Sequence, residues 1–156
     1  MFDVCVNKEE GEAYNESNTI IPGREIVVAE TTFATLGLSI CYDLRFPELY
    51  RELVSRGATI ITVPSAFTYS TGKRHWEMLL CTRAVENLCF VIASGQGGQN
   101  TEKRRTWGHS MIIDPWGNIL SSLDEGPGVT CADLDLARVD ELRASFPALQ
   151  HRVIGV

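Results

Sequence analysis

The sequence predicts an α/β protein built on one mixed β-sheet, and three features of the chain support this fold class. Two short runs rich in β-branched and other apolar residues, residues 59–63 and 89–93, are typical of buried strands. A segment with helical periodicity precedes each run, so strand, helix and strand alternate and predict parallel pairing. Further along, the Asp-Pro-Trp-Gly sequence of residues 114–117 predicts a turn, which adds an antiparallel hairpin.

The composition excludes several classes of function. With 156 residues, the chain is long enough for one domain with a sizeable core. Its net charge of −6 argues against nucleic acid or an anionic membrane as a partner. No apolar stretch approaches the roughly 20 residues that span a bilayer, and the N-terminus shows no secretory signal pattern. We therefore predict a cytoplasmic protein.

The cysteines and histidines do not form a recognisable metal or disulfide pattern. There are five cysteines at irregular spacings with no C-x-x-C pair, and the three histidines are scattered. Reduced thiols in a cytosol fit this pattern better than disulfides do. We therefore predict neither a bound metal nor a disulfide framework.

The N-terminal third of the chain predicts a loop followed by a hairpin. Residues 5–24 are polar and rich in glycine, asparagine and glutamate, which is typical of a loop. Residues 25–29 and residues 34–40 are apolar runs that predict two strands paired with each other.

Two helices are predicted between the strands of the parallel part. Residues 47–56 form the first helix, because Pro47 suits an initial helical position and Gly57 supplies a stop. Residues 73–87 form a longer second helix, with large apolar side chains along one face. This order places both helices against the sheet.

The C-terminal part predicts a loop, a hairpin and a final strand and helix. Residues 95–108 predict a loop, and residues 110–113 pair with residues 119–120 around the turn. Residues 129–134 predict a last strand, and residues 135–144 a last helix capped by its first residue. We expect the helices on one face of the sheet, so the other face needs a cover.

Cys41 is the strongest candidate for a reactive residue. It ends the apolar run of the second strand and lies just before the helix that begins at Pro47. A helix N-terminus, or a nearby cation such as Arg45, lowers the pKa of a thiol and makes it more nucleophilic. The alternative is a small buried apolar residue, which is the commoner fate of a free cysteine.

Other candidate catalytic residues have weaker support. Ser39 does not lie in a G-x-S-x-G elbow and is expected to hydrogen-bond locally. His75 and His109 could each serve as a base for a cysteine, but nothing in the sequence directs either one to Cys41. Structural roles are therefore favoured for both, as they are for the glutamates at positions 77 and 86.

Two further segments have a functional and a structural interpretation. Residues 95–98 contain three glycines, but the fingerprint of a dinucleotide loop is incomplete, so a flexible loop is favoured. Residues 103–105, Lys-Arg-Arg, predict a solvated charged segment. The functional alternative places this segment near a carboxylate of a substrate.

Four blocks of the sequence carry a resemblance to a known family. They are Gly37-Leu38-Ser39-Ile40-Cys41-Tyr42-Asp43-Leu44-Arg45-Phe46-Pro47-Glu48, then Pro64-Ser65-Ala66-Phe67, then His75-Trp76-Glu77 with Arg83-Ala84-Val85-Glu86-Asn87, and Gly108-His109-Ser110-Met111-Ile112-Ile113-Asp114-Pro115-Trp116-Gly117. In these blocks the chain resembles the nitrilase (carbon–nitrogen hydrolase) superfamily, and most closely its amidase branch. The blocks follow the family's order and spacing and cover nearly the whole chain, so the resemblance is specific.

The resemblance implies a fold, a reaction and a set of site residues. The fold is an α-β-β-α sandwich, of which residues 1–156 would form a single domain lacking the family's N-terminal part. Cys41 would be the nucleophile and Glu16 the second glutamate of the family, which orients the reacting groups. The backbone N–H of Tyr42 would help to hold the oxyanion, and Phe67 would contact the substrate. The reaction is hydrolysis of a small-molecule amide through a thioester, without metal or organic cofactor, in a homo-oligomer.

One departure from the family lowers the expected activity. The family's general-base glutamate and its lysine would both precede Met1, and Lys8 is off register. General-base catalysis is worth about 10²- to 10⁴-fold in rate, so we expect an impaired amidase. The alternative is a non-catalytic chain that acts as a pseudoenzyme or assembly partner, whereas a glutaminase part of a synthetase lacks a supporting ATP-site motif. Loss of the N-terminal part should also leave an apolar sheet surface uncovered.

Overall fold

The computed structural model describes residues 2–7 and 12–154, and its elements alternate much as the sequence predicts. The strands are β1 (Asp3–Asn7), β2 (Glu12–Asn15), β3 (Val28–Glu30), β4 (Thr35–Leu38), β5 (Ile60–Thr62), β6 (Phe90–Ala93), β7 (Gly97–Thr101), β8 (Arg104–Trp107), β9 (Met111–Ile113) and β10 (Ile119–Ser122). The α-helices are α1 (Pro47–Ser55), α2 (Tyr69–Asn87) and α3 (Ala137–Ser145). In these ranges no helix is both long and apolar enough to cross a membrane.

Six strands form one mixed sheet in the order β10-β9-β6-β5-β4-β3. Strands β4, β5 and β6 are parallel neighbours, joined by crossovers through α1 and α2. The hairpins β3–β4 and β9–β10 are antiparallel, and β9 pairs with β6 in the same sense. The predicted mixed sheet and its two hairpins are therefore confirmed.

Helix α1 shows how the local sequence sets an element. Pro47 occupies its first turn, and the helix buries Tyr50, Leu53 and Val54 on one face. After the helix ends, Gly57 adopts a φ of +94°, a left-handed conformation that suits glycine. Burial of a side chain such as Leu53 contributes about 1.5–3 kcal/mol, so this face fixes the helix on the sheet.

The main core lies between the sheet and the two helices α1 and α2. Its side chains come from alternate positions of the central strands and from the inner faces of both helices. The buried members include Leu53, Ile61, Val63, Trp76, Leu80, Val91 and Ile113. This core places the carboxyl ends of β4 and β5, where Cys41 follows, on a rigid support.

Helix α3 lies on the opposite face of the sheet, so the prediction that all helices share one face was wrong. Val139 of α3 packs in a second cluster with Ile60 and Phe90, which point away from the main core. Successive side chains of a strand point to opposite faces of the sheet. Ile60 therefore faces α3, whereas the neighbouring Ile61 belongs to the main core. The sheet face that we expected to be bare is thus partly covered, although Leu38 remains 40% exposed.

Two predicted loops contain strands. Within residues 5–24, β2 pairs antiparallel with β1, although residues 8–11 between them lie outside the described part. Within residues 95–108, β7 and β8 form an antiparallel hairpin. A Cβ atom added at Gly95 would lie 2.1 Å from the Gly108 carbonyl oxygen, so the backbone passes too close for a side chain. This contact is tertiary, and local sequence patterns do not reveal it.

Three element boundaries differ from the prediction. Residues 129–134 form no strand, because Thr130 contacts Ser121 through its side chain rather than through a backbone ladder. Helix α2 begins four residues earlier than predicted, where the Gly72 N–H donates to the Thr68 carbonyl. Helix α3 begins at Ala137, and the Asp135 carboxylate accepts a hydrogen bond from its N–H at 3.2 Å.

Candidate active site

Cys41 lies at the carboxyl edge of the parallel strands, in a sharp turn. It follows β4 and opens the 3₁₀ helix Cys41–Arg45, with a φ of +49°. Its backbone N–H donates to the Pro64 carbonyl, 2.9 Å away, at the end of the neighbouring strand. A left-handed φ costs a non-glycine residue on the order of 1–3 kcal/mol, so the surrounding structure holds this conformation. In open α/β sheets, ligands bind at this edge.

Two sets of hydrogen bonds fix the turn that carries Cys41. The Asp43 carboxylate accepts from the Ile40 N–H at 2.9 Å, which caps the 3₁₀ helix. From α2, Arg83 donates to the Leu44 carbonyl through Nε at 3.1 Å and Nη2 at 2.8 Å. Because Arg83 is only 4% exposed, these charge-assisted bonds tie the turn to the main helix.

A small pocket opens beside Cys41. It brings together the four residues that the sequence analysis selected for the site, Cys41, Glu16, Tyr42 and Phe67. The complete lining is Phe2, Glu16, Cys41, Tyr42, Arg45, Ala66, Phe67, Thr68, Thr71 and Arg104. The lining combines one carboxylate, two guanidinium groups and an aromatic floor, which suits a small polar molecule.

Glu16 reaches the pocket from the short 3₁₀ helix that follows β2. Its Oε2 accepts a hydrogen bond from the Phe2 N–H at 2.9 Å. At the same end of the hairpin, the Ser17 N–H donates to the Asp3 carboxylate, and this bond lowers the pKa of Asp3. The β1–β2 hairpin therefore positions a carboxylate opposite the thiol.

The environment of Cys41 raises its pKa from the ordinary value. Burial is the largest cause, because it disfavours the thiolate, and the charge of Glu16 acts in the same direction. Hydrogen bonding to the Ala66 backbone, and the charge of Arg104, partly oppose the increase. The expectation that a helix terminus or Arg45 lowers the pKa was therefore wrong. At neutral pH the thiol is protonated, so nucleophilic attack requires a base.

Comparison with known proteins identifies the family. The family model described as carbon–nitrogen hydrolase matches residues 2–144. The chain belongs to the carbon–nitrogen hydrolase family. It is 50% identical, over 155 residues, to the deaminated glutathione amidase of Synechocystis sp., which aligns over 98% of this chain and 56% of that protein. The chain thus spans about half the length of the curated relatives it matches.

Solved structures of this hydrolase family share the fold. The Caenorhabditis elegans NitFhit protein superimposes with a TM-score of 0.90 at 42% identity, covering 97% of this chain and 37% of that one. A mutant amidase from Nesterenkonia sp. AN1 superimposes with a TM-score of 0.71 at 29% identity, covering 84% of this chain and 51% of that one. In that amidase the active-site cysteine carries the acetamide moiety of fluoroacetamide. The mixed sheet with its helices therefore matches part of the fold of these structures.

Ser39, the alternative nucleophile considered from the sequence, has a structural role. Ser39 is 3% exposed, and its hydroxyl donates to the Thr62 carbonyl at 2.9 Å and pairs with the Tyr50 hydroxyl at 2.8 Å. Burial raises the pKa of Tyr50, so its hydroxyl stays protonated in this pair. Ser39 therefore has the expected hydrogen-bonding role, but its partners lie in α1 and β5 rather than nearby in the sequence, so the prediction of local bonding was wrong.

Both candidate histidine bases also have structural partners. Nδ1 of His75 lies 3.3 Å from Nη1 of Arg45, and burial lowers the pKa of this imidazole. The ring of His109 stacks on Trp107 with centroids 3.9 Å apart, and its Nδ1 lies 2.7 Å from the Trp107 carbonyl oxygen. Neither histidine lines the pocket of Cys41.

The two glutamates of α2 lie away from the thiol. Glu86 pairs with Arg83 at 2.8 Å, and Glu77 is an exposed residue of the same helix. The ion pair of Glu86 fits the structural interpretation. In the described part of the chain, no three histidine, cysteine, aspartate or glutamate side chains are grouped so as to hold a metal ion.

Six lining residues were missing from the predicted site: Phe2, Arg45, Ala66, Thr68, Thr71 and Arg104. Thr68 and Thr71 line the pocket from the start of α2, and their hydroxyls lie 2.7 Å apart. Arg104 lines it from β8. The Lys-Arg-Arg run was the only sequence signal for Arg104, because the surrounding segment was predicted as a loop.

Proposed function

We propose that this chain carries the nucleophilic half of an amidase site that hydrolyses a linear amide through a Cys41 thioester. The observation that supports this best is the strained Cys41 turn facing Glu16 in one pocket. The relatives are named deaminated glutathione amidases, so we propose deaminated glutathione, or an amide of similar structure, as the substrate. We further propose a cytoplasmic homo-oligomer with one domain formed by residues 1–156.

The proposed reaction proceeds in two steps. The Cys41 sulfur, after losing its proton, attacks the amide carbon and forms a tetrahedral intermediate. The carbon–nitrogen bond then breaks, and the nitrogen leaves with a proton as ammonia. Water attacks the resulting thioester, releases the carboxylic acid and returns the proton to the sulfur.

The Tyr42 N–H is the proposed donor to the oxyanion. Of its neighbours in the turn, the Cys41 N–H donates to Pro64 and the Asp43 N–H donates to Ile40. Tyr42, whose amide lies between these two, lines the pocket. Preorganised donors of this kind are worth roughly 10²- to 10³-fold in the rate of acyl transfer. Phe67, with 6% exposure, offers an apolar wall to the substrate.

Glu16 is the proposed orienting carboxylate. Its oxygen is held by the Phe2 N–H and its charge acts on the Cys41 sulfur. A carboxylate here can accept hydrogen bonds from a substrate amide or from the attacking water. We propose that it positions these groups rather than ionises the thiol, because its own negative charge disfavours the thiolate.

A second candidate function is that of a non-catalytic partner chain. The raised pKa of Cys41 favours this alternative, since a protonated thiol is a poor nucleophile. Among the residues that the structure describes, no lysine lines the pocket to offset that increase. The two candidates differ in whether the chain forms an acyl-enzyme.

Acyl-enzyme formation provides the test. The chain is incubated with a linear amide and hydroxylamine, which converts a thioester to a hydroxamate, and both ammonia and hydroxamate are measured. We expect Cys41→Ala to abolish both products and Cys131→Ala to leave them unchanged, because Cys131 is exposed and remote from the pocket. Equal product in Cys41→Ala and the unaltered chain overturns the proposal, and no product from the unaltered chain favours the partner function.

A further inference from the structure

We propose that Arg104 selects amides that carry a carboxylate, by binding that carboxylate inside the pocket of Cys41. This inference rests on the proposed amidase function, because only that function makes the bound ligand a substrate. The position of the arginine and its charge environment support it independently of turnover.

Strand alternation directs Arg104 into the pocket. Thr106 follows Arg104 by two residues in β8 and is fully buried. It forms an antiparallel bridge with Thr68, which lines the pocket. Arg104 lies on the same side of the strand as Thr106, since side chains at i and i+2 share a face. The backbone is fixed here because the Trp107 N–H donates to the Phe67 carbonyl at 3.0 Å. The arginine is thus held beside the nucleophile by the fold.

The next residue, Arg105, shows the contrast. It points to the opposite face, where its guanidinium lies 3.8 Å from the centroid of the Tyr69 ring. It also forms a bidentate ion pair with Glu125, with both oxygens at 2.8 Å from Nη2. Arg105 is therefore neutralised outside the pocket and supplies a matched control.

The guanidinium N–H groups of Arg104 are available to bind an anion. In the described part of the chain, no carboxylate lies within 4.0 Å of its guanidinium, whereas each of four other arginines has such a partner. It lies 5.7 Å from the centroid of the Tyr14 ring, which supports the side chain without using its donors. A guanidinium fork matches a carboxylate through two parallel hydrogen bonds.

The second arginine of the pocket is already engaged. Arg45 lies 3.3 Å from Nδ1 of His75 and 5.3 Å from the centroid of Phe67. Arg104, in contrast, acts on the charge of the Cys41 sulfur across the pocket. A ligand whose amide carbon meets the sulfur therefore lies in the same pocket as Arg104, whose guanidinium has no carboxylate partner in the described part of the chain.

Alkylation of Cys41 tests this without requiring turnover. Iodoacetate carries a carboxylate and iodoacetamide does not, and both react with the same thiolate. The ratio of their rate constants therefore cancels any change in the pKa of the thiol. Rates are measured at Cys41 by peptide mass spectrometry, with the exposed Cys131 as the internal reference.

We expect Arg104→Gln to lower the iodoacetate-to-iodoacetamide ratio at Cys41 by about tenfold, as for loss of a charge-assisted pair. Arg105→Gln should leave that ratio unchanged. No change in Arg104→Gln, or an equal decrease in Arg105→Gln, overturns the inference.

Hydrolysis then separates this inference from the amidase proposal. The ratio of kcat/KM for a dicarboxylic acid monoamide to that for the neutral monoamide of equal length should fall in Arg104→Gln. If the alkylation ratio falls but the unaltered chain hydrolyses neither amide, the carboxylate site stands and the amidase proposal fails. If the chain hydrolyses both amides and Arg104→Gln changes neither ratio, the amidase proposal stands and this inference fails.

Discussion

At the scale of single residues, Cys41 combines a reactive position with an unreactive environment. The left-handed turn exposes the sulfur to the pocket, but burial and the Glu16 carboxylate keep it protonated. Opposing influences of this kind are common at functional sites, where a reacting group is activated only when a ligand or a base arrives. The chemistry of the residue therefore depends on its neighbours more than on its own type.

The charge of Glu16 gives a prediction about the pH dependence of Cys41. Because a carboxylate raises the pKa of a nearby thiol, Glu16→Gln should move the alkylation profile of Cys41 to lower pH. The glutamine can still accept the hydrogen bond from the Phe2 N–H, so the hairpin should keep its position. The measurement is the iodoacetamide rate at Cys41 between pH 6 and 10, by mass spectrometry.

The same variant should separate ionisation from catalysis. We expect faster alkylation at pH 7 together with slower amide hydrolysis, because the carboxylate to which we assign the orienting role is lost. A profile that stays in place, or moves to higher pH, would show that Glu16 does not control the thiol.

Among the elements, helix α2 connects the turn that carries Cys41 to the β7–β8 hairpin. Its Arg83 binds the Leu44 carbonyl, and its Trp76 donates to the His109 carbonyl at 2.7 Å. Near its start, Gly72 packs directly under Trp107 of β8. One helix thus fixes the relative positions of Cys41 and Arg104.

The contact at Gly72 gives a prediction about stability. A Cβ added there would lie 2.3 Å from the Cβ of Trp107, which is too close for any rotamer to relieve. Gly72→Ala should lower the free energy of unfolding by about 1–3 kcal/mol, despite the higher helix propensity of alanine. The measurement is urea-induced unfolding followed by circular dichroism.

Gly23→Ala is the matched control for Gly72→Ala. A Cβ at Gly23 meets no atom within 4 Å, so this variant should keep the stability of the unaltered chain. If Gly72→Ala is as stable as Gly23→Ala, the packing of α2 on β8 is not as tight as the structure shows. Displacement of β8 in Gly72→Ala should also weaken the discrimination that we assign to Arg104.

At the scale of the whole molecule, buried thiols make stability depend on pH. Cys89 is fully buried in the main core, and burial raises its pKa from 9.0 to about 12. In the unfolded chain the same thiol ionises near its ordinary value. Above about pH 9 the unfolded state therefore holds fewer protons than the folded state, and the free energy of unfolding falls as pH rises.

Cys89 should account for a measurable part of this slope. A fully shifted group contributes up to about 1.4 kcal/mol per pH unit between the two pKa values. We expect Cys89→Ala to be less stable at pH 8 because of its cavity, and to show a shallower decline between pH 9 and 11. Cys131→Ala, which alters an exposed thiol, should decline as the unaltered chain does. Equal slopes in both variants would contradict this assignment.

Association of the chain with itself stays a prediction at this scale. The sheet face beyond the second cluster leaves Leu38 40% exposed, and Val27 on the adjoining edge is 46% exposed. Exposed apolar side chains of this kind favour association. The oligomeric state should be measured by light scattering after size-exclusion chromatography, and a monomeric mass at high concentration would rule out the homo-oligomer.

Local sequence patterns predicted some elements of this fold, and contacts between distant residues set others. The order of β4, α1, β5, α2 and β6 was predictable, because periodicity, proline, glycine and β-branched runs act within a few residues. The β7–β8 hairpin was missed because its strands are mostly polar and show no alternation of apolar residues. The side of the sheet taken by α3 was missed because it depends on packing of Val139 against Ile60 and Phe90, which are far apart in the chain.

For the site, the residues and motifs of the sequence predict which side chains could take part in a reaction. They identified the thiol at the end of a strand, the early glutamate and the aromatic wall, since residue type and family motif specify these. The folded structure was needed to show that Arg104 shares the pocket of the thiol while Arg105 contacts Tyr69, and that the pKa of Cys41 rises. The physical reason is that burial and Coulomb interactions depend on distances in space, which a linear pattern does not contain.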